Sequence, residues 1–448
     1  MLVLTHFGSS GPSGTGDGLR PEARVFDPLQ KEPDRFDRKG VATDLPLFSP
    51  EGVLSGDGIG EAFFGGGLEH WDGCYAFPPP GIRELRAAAT REKLSWSHWY
   101  RDPMPEGAGT ESLKWLARHQ NPDGSWSATG FSRLCKGAAC SGPGDPDFDV
   151  GVTSLAVLAF LRAGVTPYPR EGTRDARFGE IVRNGLKALV ARQDDEGFIG
   201  ARGSKPMMNH TLSTLALSEA SGMAPTALLR SCAQKAVDAL VAAQNPGSGW
   251  RYVPRGGESD SFVTGWAVSA LHVAQMAELS VPKSAWEGAR NWFLAASPGG
   301  SYTRVAYTLT TQDRSGDPLT LVAMASLSWS TFRAPRKDRD VVELLRANPP
   351  VWTARRIDFC SWYVATQAMS RLHPDSDPYW SLWQEAVQKS VAPNQKGPKQ
   401  ACEQGSWDPS VDRWGAEGGR VYAVAMNALT LGTASGRRAR YRALFPWR

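Results

Sequence analysis

The stretch QNPDGSW, residues 120–126, decides the fold, because altered copies of it recur along the chain. Most copies share a glutamine, a Gly-containing turn and an aromatic residue, and most lie about 52 residues, or twice that, from the next. Self-similarity at a fixed period indicates an architecture built from repeated units. The glutamines are Gln120, Gln193, Gln244 and Gln404, and the aromatic residues are Trp126, Phe198, Trp250, Tyr302 and Trp407.

Each turn lies between two kinds of helical segment. The segments before the turns alternate apolar and charged faces, which is typical of helices on a surface, whereas those after the turns are apolar nearly all round, as buried helices are. Six buried helices ringed by six amphipathic ones predict an all-α fold, an α/α toroid or six-hairpin α6/α6 barrel. The outer helices are predicted near 109–120, 179–193, 226–244, 282–296, 338–347 and 378–391, and the inner ones from Asp149, Asn209, Asp260, Asp317, Asp358 and around Arg420.

The Gln-x-x-x-Gly-x-Trp turn before a small-residue helix resembles the QW repeat of squalene and other terpenoid cyclases and of protein-prenyltransferase β subunits. The likeness covers about residues 108–436. It implies the α/α-toroid fold. We expect the repeat residues to be structural, with each glutamine amide bonding the backbone of its turn and tying one hairpin to the next.

Composition separates the chain into three parts. Residues 1–105 contain 26 Gly and Pro residues, which predicts an irregular arm or linker. Residues 106–436 hold the repeats, and residues 437–448 form a basic tail.

Charge and hydropathy exclude two classes of partner. The net charge is only +4 and no basic stripe precedes the tail, which argues against a nucleic-acid binder. No run reaches the roughly 18 apolar residues of a transmembrane segment. The N-terminus shows no recognisable signal peptide, so the compartment, cytoplasmic or extracytoplasmic, stays open.

The long turns before the inner helices predict one mouth of the ring where inner N-termini converge. Asp149, Asp260, Asp317 and Asp358 stand at nearly equivalent positions there, either as N-caps or as a ring of carboxylates around a cavity. Asp149 and Asp260 are the candidate catalytic acids. The other candidates for the cavity or its mouth are His210, Arg251, Tyr252, Trp266, Arg420 and Tyr422.

The chain departs from the catalytic motifs of both resembling families. Cyclases carry Asp-x-Asp-Asp-Thr-Ala, whereas residues 260–265 here read Asp-Ser-Phe-Val-Thr-Gly, with Phe262 in the place of the acid. Prenyltransferases hold zinc with an Asp, a Cys and a His; Asp358 and Cys360 have the right spacing, but the last inner helix offers no histidine. We therefore predict no cofactor and no metal.

Cys135 and Cys140 are the only cysteines close together in sequence, and they are candidates for a small disulfide or for free thiols. A metal site would need a second pair or a nearby histidine, and the local sequence has neither. A candidate disulfide also keeps an extracytoplasmic location open.

These observations favour a toroid that lacks the standard catalytic set and acts as a scaffold module, binding a hydrophobic, glycan or protein ligand at the long-loop mouth. The alternative is an enzyme, either a cyclase using Asp149 or Asp260, or a carbohydrate-active enzyme using rim carboxylates. Two rim carboxylates within about 10 Å over an open cleft would favour glycan chemistry. A closed apolar cavity with one buried Asp would favour cyclisation, and a filled centre would favour scaffolding.

Overall fold

The computed structural model describes residues 107–168, 176–201, 203, 205–298, 303–310, 318–332, 338–353, 357–372 and 378–435. These ranges contain twelve α-helices and no β-strand. The predicted arm and the predicted basic tail lie outside the described residues. The helices are α1 (Ala108–Arg118), α2 (Asp149–Arg162), α3 (Ala176–Val190), α4 (Pro206–Met223), α5 (Ala227–Ala242), α6 (Ser261–Met276), α7 (Lys283–Ala296), α8 (Pro318–Thr331), α9 (Asp338–Arg346), α10 (Phe359–Leu372), α11 (Pro378–Val391) and α12 (Gly415–Ala434).

The even-numbered helices form the inner ring of an α/α toroid, as the sequence predicts. Each packs on the next inner helix, and α12 packs on α2, so the ring closes. The inner helices are buried on every side: in α2, each residue from 150 to 161 is buried. This matches the apolar composition of these segments, which leaves no polar face for solvent.

The odd-numbered helices pack outside, each with one buried face. In α1, Leu113, Trp115 and Leu116 are buried while Lys114 is exposed. No described helix combines the length and hydropathy that a membrane span requires.

Two inner helices begin earlier than the sequence predicts. Helix α4 begins at Pro206 rather than Asn209, because proline fits the first helical turn, where its missing N–H costs nothing. Helix α12 begins at Gly415 rather than near Arg420, and it is kinked at Gly419, whose φ of 63° favours glycine. A Cβ there would lie 2.5 Å from the backbone nitrogen of Gly144, so this close approach also requires glycine.

The repeat glutamines join neighbouring hairpins. The Gln120 amide donates to the carbonyl of Gly124 in its own turn and to that of Ile181 in the next outer helix, both at 2.9 Å. Gln193 and Gln244 make equivalent pairs of bonds one and two repeats later. Their acceptors are Gly197 and Cys232 for Gln193, and Ser248 and Ala285 for Gln244.

In the last repeat this position belongs to Gln395, not to the expected Gln404. Gln395 donates to Gly405 O at 3.0 Å and to Ala108 O of α1 at 2.8 Å, which ties the last hairpin to the first. Gln404 instead reaches the Glu111 carboxylate at 3.3 Å. An insertion between Gln395 and the turn, residues 396–404, displaced the glutamine from the register that the other repeats keep.

The turn tryptophans are fully buried and close the ends of the outer helices. Trp126 Nε1 donates to Leu116 O at 2.8 Å, satisfying a carbonyl near the end of α1. The backbone N–H of Trp126 donates to the Thr153 hydroxyl of α2 at 2.9 Å. Trp250 and Trp407 make the equivalent indole bonds to Leu240 and Val391, and Phe198 fills the corresponding buried position without an N–H.

Candidate functional site

A cavity lies where the inner helices meet, and its walls are mainly apolar. The lining residues are Phe148, Gly151, Val152, Leu155, Lys205, Met208, Leu212, Tyr252, Phe262, Trp266, Cys360, Trp414, Glu417, Gly418, Tyr422 and Met426.

The cavity opens toward the N-terminal ends of the inner helices. Phe148, Lys205 and Trp414 directly precede α2, α4 and α12, and Phe262 and Cys360 lie in the first turns of α6 and α10. Five of the six inner helices therefore contribute their starts to one cavity, on the side of the long loops.

One ion pair marks the edge of this cavity. Lys205 Nζ lies 2.7 Å from a carboxylate oxygen of Glu417, and both side chains are about one third exposed. The same ammonium lies 5.7 Å from the ring centroid of Phe148 and 5.4 Å from that of Tyr252. A cation over aromatic faces is stabilised by the ring quadrupoles, so these contacts hold Lys205 at the mouth.

The floor is closed by aromatic stacking and a buried ion pair. Trp266 stacks on Tyr363 with centroids 6.1 Å apart, and the Tyr363 hydroxyl bonds the guanidinium of Arg162. Arg162 in turn pairs with the fully buried Glu219 at 3.0 Å. Burial raises the pKa of Glu219, and the charge of Arg162 opposes that rise.

Asp149 does not cap its own helix. Its Oδ1 accepts the backbone N–H of Ala128 at 2.7 Å and the Ser127 hydroxyl at 3.2 Å, so it anchors the loop after the first turn. Burial raises its pKa. Asn209 of α4 accepts the N–H of Gly151 at 2.8 Å and so caps α2 from the neighbouring helix. These contacts give Asp149 a structural role, and we assign it neither acid chemistry nor contact with a ligand.

Asp260 is the N-cap of α6 and is fully buried. Its Oδ1 accepts the N–H of Val263 at 2.7 Å. Burial raises its pKa to about 7, against the opposing effects of that hydrogen bond and of the Arg251 charge. Arg251 is ion-paired with Glu258 and does not line the cavity. Asp260 itself is not among the residues that line the cavity, whereas Tyr252 and Phe262 are.

Asp412 is a buried acid that the sequence analysis missed. Its two oxygens accept the N–H groups of Phe359 at 2.6 Å and Trp414 at 2.9 Å. Burial and the nearby carboxylate of Asp358 raise its pKa to about 7. It lies beside the hydroxyl of Tyr422, which lines the cavity. The only signal in the sequence is its place in the loop that follows Trp407.

The other predicted site residues divide between the cavity and the core. Tyr252, Trp266 and Tyr422 line the cavity, and Asp358 caps the start of α10 by accepting the N–H of Ser361 at 2.8 Å. Asp317 lies outside the described residues.

His210 and Arg420, expected at the mouth, are fully buried in the core. His210 stacks on Phe198 with centroids 4.3 Å apart, and its Nδ1 accepts the N–H of Ile199. The Arg420 guanidinium donates to the backbone oxygen and hydroxyl of Ser141, both at 2.7 Å, and pairs with Glu403 at 2.9 Å. These partners leave Arg420 engaged with protein groups rather than with a ligand, because the long loops fold over it.

Cys135 and Cys140 are free thiols in the structure rather than a disulfide. Both sulfur atoms face the imidazole of His119 together with a third thiol, Cys402. Sequence reasoning missed this cluster, since His119 lies at the end of α1 and Cys402 lies 283 residues away in the insertion of the last repeat.

No family model matches the sequence, and neither does any curated protein. Among solved structures, the fold is similar to that of an α-amylase from Clostridium perfringens, with a TM-score of 0.50 and 11% identity over 74% of this chain and 99% of that one. An α-1,6-mannanase of Salegentibacter, solved with α-1,6-mannotriose, aligns with a TM-score of 0.50 and 11% identity over 73% of this chain and 97% of that one. A type II terpene cyclase from Scytonema aligns over 80% of this chain and 97% of that one, with 12% identity and a TM-score of 0.44. At these identities the likeness to the first two structures establishes the α/α-toroid fold alone.

Proposed function

We propose that this toroid binds an apolar, isoprenoid-like molecule in its central cavity. The observation that carries the proposal is the composition of the cavity wall. Among the described lining residues, only Lys205 and Glu417 are charged, and they neutralise each other at the edge. A concave apolar surface is stabilised by a hydrocarbon ligand, because ligand binding removes apolar area from water.

The aromatic rings of the wall also suit a branched, unsaturated chain. Tyr252, Phe262, Trp266, Trp414 and Tyr422 surround the space from two inner helices, α6 and α12, and their preceding loops. Aromatic side chains supply large apolar contact areas with few rotatable bonds.

Glycoside hydrolysis is less well supported by the described wall. That reaction generally uses two carboxyl groups about 5–10 Å apart on either side of the scissile bond. Glu417 is the one carboxylate among the lining residues that the structure describes, and Lys205 already binds it.

Alkene protonation is also less well supported. It requires a strong acid, whereas burial raises the pKa of Asp260 and of Asp412 to about 7 and so makes each a weaker acid. Phe262, not a carboxylate, stands in the cavity wall at the position where the cyclase motif carries its acid. We therefore propose binding, with cyclisation as an outcome that the same experiment detects.

The test uses calorimetry of the full chain with farnesol and geranylgeraniol, and with α-1,6-mannotriose as the carbohydrate comparison. We expect the isoprenoid alcohols to bind with a negative heat-capacity change, the mark of apolar burial, and mannotriose not to bind. Binding of mannotriose alone would overturn the proposal. Conversion of either alcohol, detected by mass spectrometry of the extracted ligand, would replace binding with catalysis.

A cavity-filling variant locates the ligand. Met208 lines the cavity and is only partly buried, so Met208→Trp fills space without removing a core residue. We expect at least a tenfold loss of farnesol affinity, about 1.4 kcal/mol or more. Met208→Leu keeps the side-chain volume and serves as the matched control. Equal affinities for the two variants would place the ligand elsewhere.

A further inference from the structure

Four metal-ligating side chains meet outside the central cavity. They are His119, at the end of α1, Cys135 and Cys140 in the loop that follows the first repeat turn, and Cys402 in the insertion of the last repeat. One ligand atom from each lies within 4.8 Å of all the others. Neighbouring thiols together with an imidazole form the donor set that structural zinc sites use.

The separations match the edges of a tetrahedron around one ion. His119 Nε2 lies 3.4 Å from the sulfur of Cys402, 3.5 Å from that of Cys135 and 3.7 Å from that of Cys140. Bonds of about 2.3 Å from zinc to sulfur and about 2.0–2.1 Å to nitrogen require a sulfur–nitrogen edge of about 3.5 Å in tetrahedral geometry. The three sulfur–nitrogen distances therefore match those of a tetrahedral zinc site, and no two of the four ligand atoms are more than 4.8 Å apart.

The imidazole is oriented as a ligand. His119 Nδ1 lies 2.8 Å from the carbonyl oxygen of Trp115, which can only accept, so Nδ1 carries the proton and Nε2 presents its lone pair to the three sulfurs. A single lone pair accepts one hydrogen bond, which does not account for three sulfurs at nearly equal distance. Stacking on Trp115, with centroids 4.0 Å apart, holds the ring in this plane.

The loops that carry the cysteines are held by Arg420. It donates to Ser141, next to Cys140, and pairs with Glu403, next to Cys402. One buried guanidinium thus positions both loops against the end of α1. This gives a role to a residue that the cavity does not use.

We propose that His119, Cys135, Cys140 and Cys402 bind one zinc ion, which fastens the last hairpin of the toroid to the first. Three thiolates and one imidazole fill a tetrahedral shell and leave no open position, so the site is structural rather than catalytic. Because the ligands span 283 residues, the ion constrains a very long loop of the unfolded chain.

The test measures metal content and stability of the full chain, purified under reducing conditions without chelator. We expect one zinc ion per chain by mass spectrometry of the metals. Cobalt(II) should exchange into the site and give the visible bands of a tetrahedral thiolate complex. Chelation should lower the Tm, and added zinc should restore it. A wild-type chain that takes up neither zinc nor cobalt, or that holds stoichiometric iron or copper instead, would overturn the proposal.

Two cysteine variants distinguish the loss of a zinc ligand from the general effect of removing a thiol. Cys402→Ser removes one ligand with little change of shape and should lose the zinc or bind it far more weakly. Cys232→Ser removes a buried cysteine of α5 outside the cluster and should keep one zinc per chain. Cys402→Ser with undiminished zinc, or a Cys135–Cys140 disulfide in the wild-type protein, would contradict the assignment. The cobalt titration of the wild-type chain decides the matter even where a variant fails to fold.

Discussion

The aspartates at the starts of the inner helices bind backbone N–H groups. Asp260 caps α6, Asp358 caps α10, and Asp149 holds a loop. A carboxylate that accepts backbone N–H groups stabilises a helix start by about 1 kcal/mol, which is sufficient reason for its presence. The capping interpretation therefore holds for Asp260 and Asp358, whereas Asp149 anchors a loop.

The buried acid of α6 predicts a pH dependence of stability. The pKa of Asp260 is about 7 in the folded chain and close to 4 when unfolded. Between these pH values the folded state binds more protons than the unfolded state, so the free energy of unfolding falls as pH rises from about 4 to 7. Above pH 7 the carboxyl is ionised in both states, and this loss of stability is complete. Asp260→Asn keeps a good N-cap and removes the charge. We expect its Tm to fall less than that of the wild type between pH 5 and 8, and to be higher at pH 8.

Asp238→Asn provides the control for this measurement, because Asp238 is exposed on the outer helix α5. Its pH profile should follow that of the wild type. Asp412 has a similarly raised pKa and stays in both variants, so part of the slope should survive in Asp260→Asn. A profile of Asp260→Asn identical to that of the wild type would show that this carboxyl does not carry the effect.

At the scale of the elements, the repeat works by giving each glutamine two carbonyl acceptors, one in its own turn and one in the next outer helix. The geometry is the same for Gln120, Gln193, Gln244 and Gln395. Replacing such a glutamine removes two hydrogen bonds at once, each worth about 0.5–1.5 kcal/mol.

Two neighbouring glutamines provide a direct comparison. Gln395→Ala removes the bonds to Gly405 and Ala108, and we expect a loss of about 1–2 kcal/mol in the free energy of unfolding. Gln404→Ala removes only the contact with Glu111 at 3.3 Å, and should cost less than about 0.5 kcal/mol. Urea unfolding of both variants measures the difference. A larger loss for Gln404→Ala would restore the assignment that the sequence motif suggests.

At the scale of the whole molecule, the ring is closed by contacts between parts of the chain that are distant in sequence. The centre is filled below the cavity by Arg162 of α2, Glu219 of α4 and Tyr363 of α10. A buried ion pair of this kind is costly to break on one side, because the remaining charge stays in a medium of low polarity.

The buried ion pair predicts that substitutions of Arg162 and Glu219 have strongly non-additive effects on stability. Arg162→Met leaves Glu219 unpaired and should lower the free energy of unfolding by about 3–5 kcal/mol at pH 7. Adding Glu219→Leu removes the stranded charge and should recover much of that loss. Lys283→Met at the exposed pair with Glu287 is the surface control and should change stability by less than about 1 kcal/mol. If the double variant were as unstable as Arg162→Met, the unpaired charge of Glu219 would not be the cause of the destabilisation.

Local sequence was sufficient for the elements. The period of the turns, the all-round apolar segments after them and the mixed segments before them predicted six hairpins in a closed ring, because burial of a helix face depends on residues three or four apart. The predicted starts of α4 and α12 were too late, because α4 begins with Pro206 and α12 continues through a kink at Gly419. The glutamine of the last repeat was also misplaced, because an insertion separates Gln395 from its turn.

What the amino-acid sequence determined by itself is therefore the toroid, the side on which the long loops lie, and the tyrosines and tryptophan of the cavity wall. Only the tertiary structure decided that His119 and Cys402 meet Cys135 and Cys140, that His210 and Arg420 are buried, and that Asp412 lies beside Tyr422. The physical reason is the range of the interactions. Helix periodicity depends on residues close together in sequence. The composition of a ligand set and the burial of a charge depend instead on which loops the closing ring brings together.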